Sequence, residues 1–456
     1  MADYCLDWRG RLCVGAAWGD DLAPDLEPAN GDAHANLYAD ACPADADRPH
    51  RDTAPNPHPA AFVDTAPDDH AAPDADTCPD ADTAPLEHAG GHPNAYLDAD
   101  VHPAANANAA SAHRNANGGG VLLMGDAAWN RFVEMHPDGH LLQLADWGRL
   151  KADFGWQFEI AHVGDAGALI LYRPLPLRMG MLAYLPAAPL FSPDEAVNAA
   201  LWREIAQKAR RRRAAFVKAE PCNWYRPRPD LPGRLERAGF LPSPQTVQPP
   251  RTVVIDLSGS EQDILKRMNQ STRRKCNMAE KQDVAVRVGT AADVASFTAL
   301  IDITGVRNKF GVHEPAYYKR AYDLFAPSGH AALLIAAHAG QDLAGVMVFR
   351  CGENAYYLYG ASSNAERQRM ATYILQWEAI RWARAGGARR YDLWGVPDAD
   401  EATLEAEFEG RSDGLWGVYG FKRGFGGRIV RSVGAWDKAL NPVIYAAYRW
   451  YLRRRA

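Results

Sequence analysis

Near the C-terminal end, "VYGFKRGFGG" sets Lys422 between Phe421 and Phe425 and follows them with a glycine pair. A lysine held among aromatic rings in a cleft can meet an oxyanion or a phosphate. The plain alternative is a solvated lysine at the end of a strand. Asp392, in "YDLWG" at an expected strand end, is a candidate proton acceptor or a buried structural carboxylate. Cations cluster elsewhere. "STRRKCNMAEK" groups Arg273, Arg274, Lys275 and Lys281, and "KARRRR" runs from Lys208 to Arg213. Arg307 and Lys309 stand close together, and Lys151 follows Trp147 in "WGRLKADFGW". Each such run fits a phosphate contact or a solvated helix face. No Ser-His-Asp order, Walker loop or paired-carboxylate signature stands out, and none of the 7 cysteines makes a C-x-x-C pair or a zinc-ligand spacing.

Strand and helix patterns that would position these residues begin at about residue 118 and alternate to the end. "ALILYRPLPL", "MLAYLPAAPL" and "AAFVKAEP" read as strands, with "SPDEAVNAALWREIAQKARRRRAAF" as a helix opening on a Ser-Pro-x-Glu start. A second series follows: "RTVVIDLS" as strand, one helix over 261–282, "VAVRVG" as strand and a helix in "TAADVASFTALIDITGVRNK". A strand meander from "HAALLIAAH" to "YYLYGAS" then leads into the helix "RMATYILQWEAIRWARAGG" and the strand "RRYDLWGV". The expected class is α/β, with two successive units at 118–252 and 253–431 and residues 432–456 returning to the first.

The chain's charge of −6 conceals a division. Residues 1–117 hold 21 acidic residues against 5 arginines and no lysine, a net of −16, so the remainder carries +10. The leader is mostly Ala, Asp, Pro, His, Asn and Thr, too poor in apolar side chains to offset the entropy of ordering, and is expected to be disordered. The basic body should attract nucleic acid, nucleotide phosphates or an anionic membrane face. With no long apolar run and no signal-peptide pattern, a cytoplasmic protein is expected, with peripheral contact at the inner face of the plasma membrane through its basic runs.

The order meander, loop, helix, strand in "YYLYGASSNAERQRMATYILQWEAIRWARAGGARRYDLWG" resembles the Gcn5-related N-acetyltransferase fold. Acetyl-CoA users of that fold cradle the pyrophosphate on a glycine-bearing loop before the helix. Met370 and Thr372 occupy those glycine positions, which argues against coenzyme A. A tandem of two such domains without the loop looks like the Fem family of peptidoglycan aminoacyltransferases, in its compact form without a helical arm. The blocks that carry this resemblance are "HLLQLADWGRLKADFGW", "MNQSTRRKCNMAEK", "GVHEPAYYKRAY", "YYLYGASS", "YDLWGV" and "GVYGFKRGFGGRIVRSVGAWDKALNPVIY".

The resemblance implies tandem acyltransferase-like domains with mixed central sheets. It also implies transfer of an amino acid from aminoacyl-tRNA to a stem-peptide amine of a peptidoglycan precursor, lipid-linked or nucleotide-linked. The ester is already activated, so no cofactor or metal is implied. Lys422 matches the lysine near the acceptor end of the transfer RNA, and Phe421 the aromatic beside it that packs on the terminal adenosine. Lys151, with Trp147 in the same block, matches a lysine contacting the precursor's diphosphate. Tyr318 and Tyr359 match tyrosines lining its groove, though both rings would also suit a core. Arg273 opens a helix that contacts phosphates. Glu314 departs from the pattern, standing where a compact relative has a phosphate-binding arginine, and leaves Arg307 or Lys309 as substitutes. Two rivals remain: an acyl-CoA-dependent N-acyltransferase, and an RNA-binding protein without catalysis.

Overall fold

The computed structural model describes residues 4–6, 12–14 and 125–454, apart from 223, 226, 227, 309 and 310. The expected leader therefore lies outside the described residues, save for β1 (Tyr4–Leu6) and β2 (Leu12–Val14), which pair antiparallel. Five further strands precede residue 250: β3 (Gln157–Val163), β4 (Ala166–Pro174), β5 (Met181–Pro186), β6 (Ala214–Glu220) and β7 (Leu241–Pro242). Then come β8 (Arg251–Asp256), β9 (Ala285–Val288), β10 (Ala331–His338), β11 (Gln341–Cys351), β12 (Asn354–Ser362), β13 (Arg390–Gly395), β14 (Arg428–Arg431) and β15 (Trp436–Ala439). The helices are α1 (Asp126–Met135), α2 (Ala145–Ala152), α3 (Glu195–Arg211), α4 (Leu231–Arg237), α5 (Glu261–Arg267) and α6 (Gln270–Lys281). They continue as α7 (Val294–Asn308), α8 (Pro315–Phe325), α9 (Ala371–Ala385), α10 (Glu401–Glu407), α11 (Trp416–Lys422) and α12 (Pro442–Arg453).

Two mixed sheets result. One has the order β3-β4-β5-β6-β15-β7 and the other β14-β8-β13-β12-β11-β10-β9. Each contains the same device, an antiparallel meander followed by a helix and a parallel strand. In the first sheet β3, β4 and β5 lead through α3 to β6, and in the second β10, β11 and β12 lead through α9 to β13. A parallel return needs such a crossover, and the helix covers the sheet face it passes. β15 lies between β6 and β7, so the chain's last strand joins the sheet that β3 opens.

Three layers of core hold the sheets. α1 and α2 contribute Trp129, Trp147 and Leu150 to the same apolar cluster as Phe297 of α7, Tyr317 and Phe325 of α8, and Phe349 and Tyr359 of the second sheet. The opposite face of that sheet packs on α5, α6 and α9, through Ile264, Cys276 and Ile380. α3 covers the first sheet with Leu201 and Ile205.

Two expected elements take another form. The single helix over 261–282 is broken at Met268–Asn269, where the Asn269 side chain caps α6 by accepting from Thr272 N at 2.7 Å. The Asn269 amide meanwhile donates to Gly424 O, 155 positions away, at 3.0 Å. The start of α3 also shifts: Asp194, not Ser192, caps it by accepting from Ala196 N.

Candidate active site

Lys422 is the last residue of a helix rather than part of a strand, and it is completely buried. Trp416, Tyr419 and Lys422 recur three residues apart on the inward face of α11. The helix ends in a turn at Gly426, which has φ +77 and whose α-carbon faces the end of α5 so closely that a Cβ would stand 2.0 Å from Arg267 O. A side chain there would meet both a left-handed backbone and that helix end, which explains the glycine pair by space rather than by catalysis.

The Lys422 ammonium donates to Gly395 O at 2.6 Å and Trp394 O at 3.2 Å, and lies 6.0 Å from the Tyr357 ring centre. Both carbonyls are aimed at it by an irregularity in β13. The register of β13 on β8 shifts between Asp392 and Gly395, and Trp394 sits at φ +62. A tryptophan in the left-handed region is strained and persists only where its surroundings hold it. Asp392 provides that hold: its Oδ1 accepts from Trp394 N at 2.7 Å and from Thr252 Oγ1 at 2.5 Å, and its Oδ2 from Tyr225 at 3.1 Å.

Burial opposes charge on both groups. It lowers Lys422 to about 7, against a smaller upward pull from the Asp392 charge. Burial likewise raises Asp392 to about 6, with the Thr252, Trp394 and Tyr225 hydrogen bonds pulling it down. Lys422 therefore titrates near neutrality, where a small change in its surroundings shifts its proton.

Phe421 points the other way on α11, half-buried, at 5.1 Å from both Tyr373 and Phe425. Lys275 donates to the Tyr373 hydroxyl at 3.0 Å and lies 4.7 Å from its ring centre. These residues form an aromatic shelf with a cation on it, drawn from α6, α9 and α11. The loop before α9 is filled by its own contacts. Arg369 pairs with Glu366 at 2.6 Å and donates to Gln282 O at 3.0 Å, while Glu366 and Met370 both adopt positive φ.

Lys151, Trp147, Tyr318 and Tyr359 are brought together from α2, α8 and β12. The Lys151 ammonium lies 4.7 Å from the Trp147 ring centre and donates to Tyr317 Oη at 2.9 Å. Tyr359 donates to Tyr317 Oη at 3.3 Å and meets Tyr318 edge-on at 5.3 Å. Tyr317 and His313 complete the cluster, stacked at 3.6 Å. Burial first, then the Lys151 charge, push His313 well below its ordinary value, so its ring is neutral. Tyr317 and His313 were not among the residues the sequence singled out. The adjacent tyrosines in "HEPAYY" pointed to the place, but only the start of α8 decides which ring turns toward Lys151. The three tyrosines and Trp147 are core residues, each at most 1% exposed, and the tyrosine hydroxyls form the polar seam.

The other predicted cations lie apart from these clusters. Arg273 caps the end of α5 through Met268 O, Leu265 O and Lys266 O. Arg307 grips the end of β12, donating to Ser362 O and Asn364 Oδ1 at 2.9 Å each. Lys309 lies outside the described residues. Of the "KARRRR" run, Arg210 joins Arg203, Arg234, Arg237 and Lys438 around Trp202 in an open groove of about 1060 Å³. Arg212 pairs instead with Glu159.

Two mixed sheets, each with a meander, crossover helix and parallel strand, define a tandem acyltransferase-like fold. The model of the FemAB family matches residues 125–230, 241–339 and 334–452, and the chain belongs to that family. It is an aminoacyltransferase. Among curated relatives, the lipid II:glycine glycyltransferase of Staphylococcus haemolyticus is 24% identical over 391 residues, covering 69% of this chain and 91% of its own length. The same-named protein of Staphylococcus saprophyticus is 24% identical over 399 residues, covering 70% and 93%. A crystal structure of FemX superposes with a TM-score of 0.65 at 22% identity, covering 71% of this chain and 98% of that one.

Proposed function

We propose that the chain moves an amino acid from aminoacyl-tRNA to the side-chain amine of a peptidoglycan stem peptide, building the interpeptide bridge. The observation that carries this reading is the buried Lys422 ammonium on two carbonyls of a strained strand end. The amine nitrogen attacks the ester carbonyl. A C–N bond forms, the ester C–O bond breaks, and the terminal ribose hydroxyl leaves with a proton while the amine gives one up. Lys422 supplies positive charge where the tetrahedral oxyanion develops. Asp392 acts through Trp394 as a positioning residue, its oxygens being taken by three donors. The Phe421–Tyr373 shelf with Lys275 suits the terminal base and its phosphate. Lys151 and its tyrosine seam suit the precursor's phosphate end, and Arg307 or Lys309 further phosphate contact.

Relatives named for action on lipid II favour a lipid-linked acceptor. The basic groove around Trp202 suits an anionic surface, either the inner membrane leaflet or the transfer RNA backbone. Among the described residues no helix is long and apolar enough to cross a membrane. Residues 118–252 with 432–456 form the first acyltransferase unit in this reading, and 253–431 the second. The loop before α9, closed by Arg369 and Glu366, speaks against the acyl-CoA rival.

The test incubates the protein with mixed charged transfer RNA and a muropeptide precursor. A mass increment of one amino-acid residue, lost after ribonuclease, is expected. An increment that survives ribonuclease would favour the acyl-CoA reading, and RNA binding without product would favour the non-catalytic one.

A further inference from the structure

The C-terminal helix α12 is apolar on both sides. Inward, Ile444, Tyr445 and Tyr448 pack with Phe216 of β6 and with Leu175 and Met179 of the turn between β4 and β5. Outward, Val443, Ala446, Ala447 and Trp450 share one side of the helix by their spacing, and all four are exposed. Val443 is 79% exposed and Trp450 55%, while Leu177, at the tip of that turn, is 80% exposed with φ +55. Trp450 is the one aromatic among the exposed large apolar side chains of the described residues. A helix that is apolar all round is ordinarily covered on both sides, and among the described residues nothing covers the outer side of this one.

Charge identifies the cover. The last turn adds Arg453 and Arg454, the second at 3.9 Å from the Trp450 ring centre, and residues 442–456 hold four arginines and no acidic residue. Neither Arg453 nor Arg454 forms an ion pair among the described residues. Arg178 stands exposed beside Leu177. An exposed tryptophan and an apolar row rimmed by arginines match the headgroup level of a bilayer. An RNA backbone would meet the arginines but leave the apolar row wet. A second copy paired two-fold through α12 would bring the arginines no carboxylate, because the helix has none.

The fold sets this surface beside the Lys151 cluster. Leu182, in register with Phe216, packs against both the α12 cluster and the cluster of Trp147 and Leu150. α12 and α2 therefore share one face of the first sheet. The groove around Trp202 belongs to the other face, where α3 packs on Val217 rather than Phe216.

We propose that α12 and the β4–β5 turn dock on a membrane surface rich in anionic lipids. Trp450, Val443 and Leu177 enter the boundary between headgroups and acyl chains, and Arg178, Arg453 and Arg454 meet lipid phosphates. That this docking brings a lipid-linked acceptor toward Lys151 rests on the function proposed above; the surface itself does not.

The experiment co-sediments the full chain with vesicles of phosphatidylcholine alone or with about a third phosphatidylglycerol. Partition onto the anionic vesicles should be at least about tenfold stronger and should weaken with salt. Trp450→Ser, and Arg453→Gln with Arg454→Gln, should each weaken it about tenfold. Brominated acyl chains should quench wild-type tryptophan fluorescence and quench Trp450→Phe less, a readout of insertion that a purely electrostatic contact does not give. All these side chains are exposed, so the variants should fold; the wild-type quenching reads the same contact should one fail. No vesicle binding, or binding that Trp450→Ser leaves intact while Arg203→Gln with Arg210→Gln removes it, would overturn the surface. A dimer that Trp450→Ser dissolves, without vesicle binding, would overturn it in favour of a second copy. Vesicle binding in a protein that shows no transfer leaves the surface standing and removes the proposed function; transfer to a soluble muropeptide without vesicle binding does the reverse.

Discussion

Replacing Lys422 by methionine tests the centre of the proposed mechanism, because methionine keeps the length of the side chain and removes only its charge and donors. In the folded protein the ammonium is fully buried and its donors go to Trp394 O and Gly395 O. Two carbonyls then lose a donor, at about 1–3 kcal/mol each, while relief from burying an ammonium offsets part of that loss. The net effect on stability is expected within about 2 kcal/mol, so the variant should fold. Activity should fall much further. Removing one preorganised donor from an oxyanion site typically costs about 100-fold to 1,000-fold in kcat. The assay is single-turnover transfer from purified aminoacyl-tRNA, with acceptor binding measured separately. Transfer should drop by at least about a hundredfold with acceptor affinity changed less than about threefold. The pH profile adds a second readout. Lys422 loses its proton above about 7, so a rate that needs the charge falls through that range, and the residual rate of Lys422→Met should lack this limb. Activity within a few-fold of wild type, or an unchanged alkaline limb, would refute the assigned role.

The same two buried groups predict a pH dependence of stability. Lys422 has a lowered folded pKa, so the unfolded chain binds more protons between about 7 and 10.5, and its contribution improves as pH rises through that window. Asp392 is raised to about 6 from 3.8, so its contribution weakens as pH rises from 3.8 to 6. Urea denaturation of Lys422→Met and of Asp392→Asn should each flatten the slope in the matching window, and an unaltered slope would count against the burial argument. Lys151→Ala should raise KM for the precursor about tenfold with kcat nearly unchanged, as expected for a contact made equally in ground and transition states; a pure kcat effect would move Lys151 to the reacting centre. Gly426→Ala should lose at least about 2 kcal/mol of stability in the same denaturation assay, since its Cβ would stand 2.0 Å from Arg267 O at φ +77. A near-neutral effect would mean the turn can move.

Local pattern carried much of this protein. Apolar runs in β10 to β12 and the helical spacing in α9 were readable, because a strand buried on both faces and a helix with one buried stripe each leave a periodic trace. The family resemblance also marked Lys422, Phe421, Lys151, Tyr318 and Tyr359 as candidates. What it could not supply was distance. "GFKRGF" gives no hint that Lys422 ends a helix and is fully buried, since that follows from Tyr357, Trp394 and Gly395 arriving from two strands. The break between α5 and α6 coincides with Asn269 meeting Gly424, and the contact of Lys151 with Tyr317 depends on α2 meeting α8. Sequence alone thus determined the alternation of elements and the kinds of side chain available. Tertiary structure decided which of them share a dry interior, where the loss of water moves a lysine to neutrality and a strained tryptophan turns its carbonyl toward that lysine.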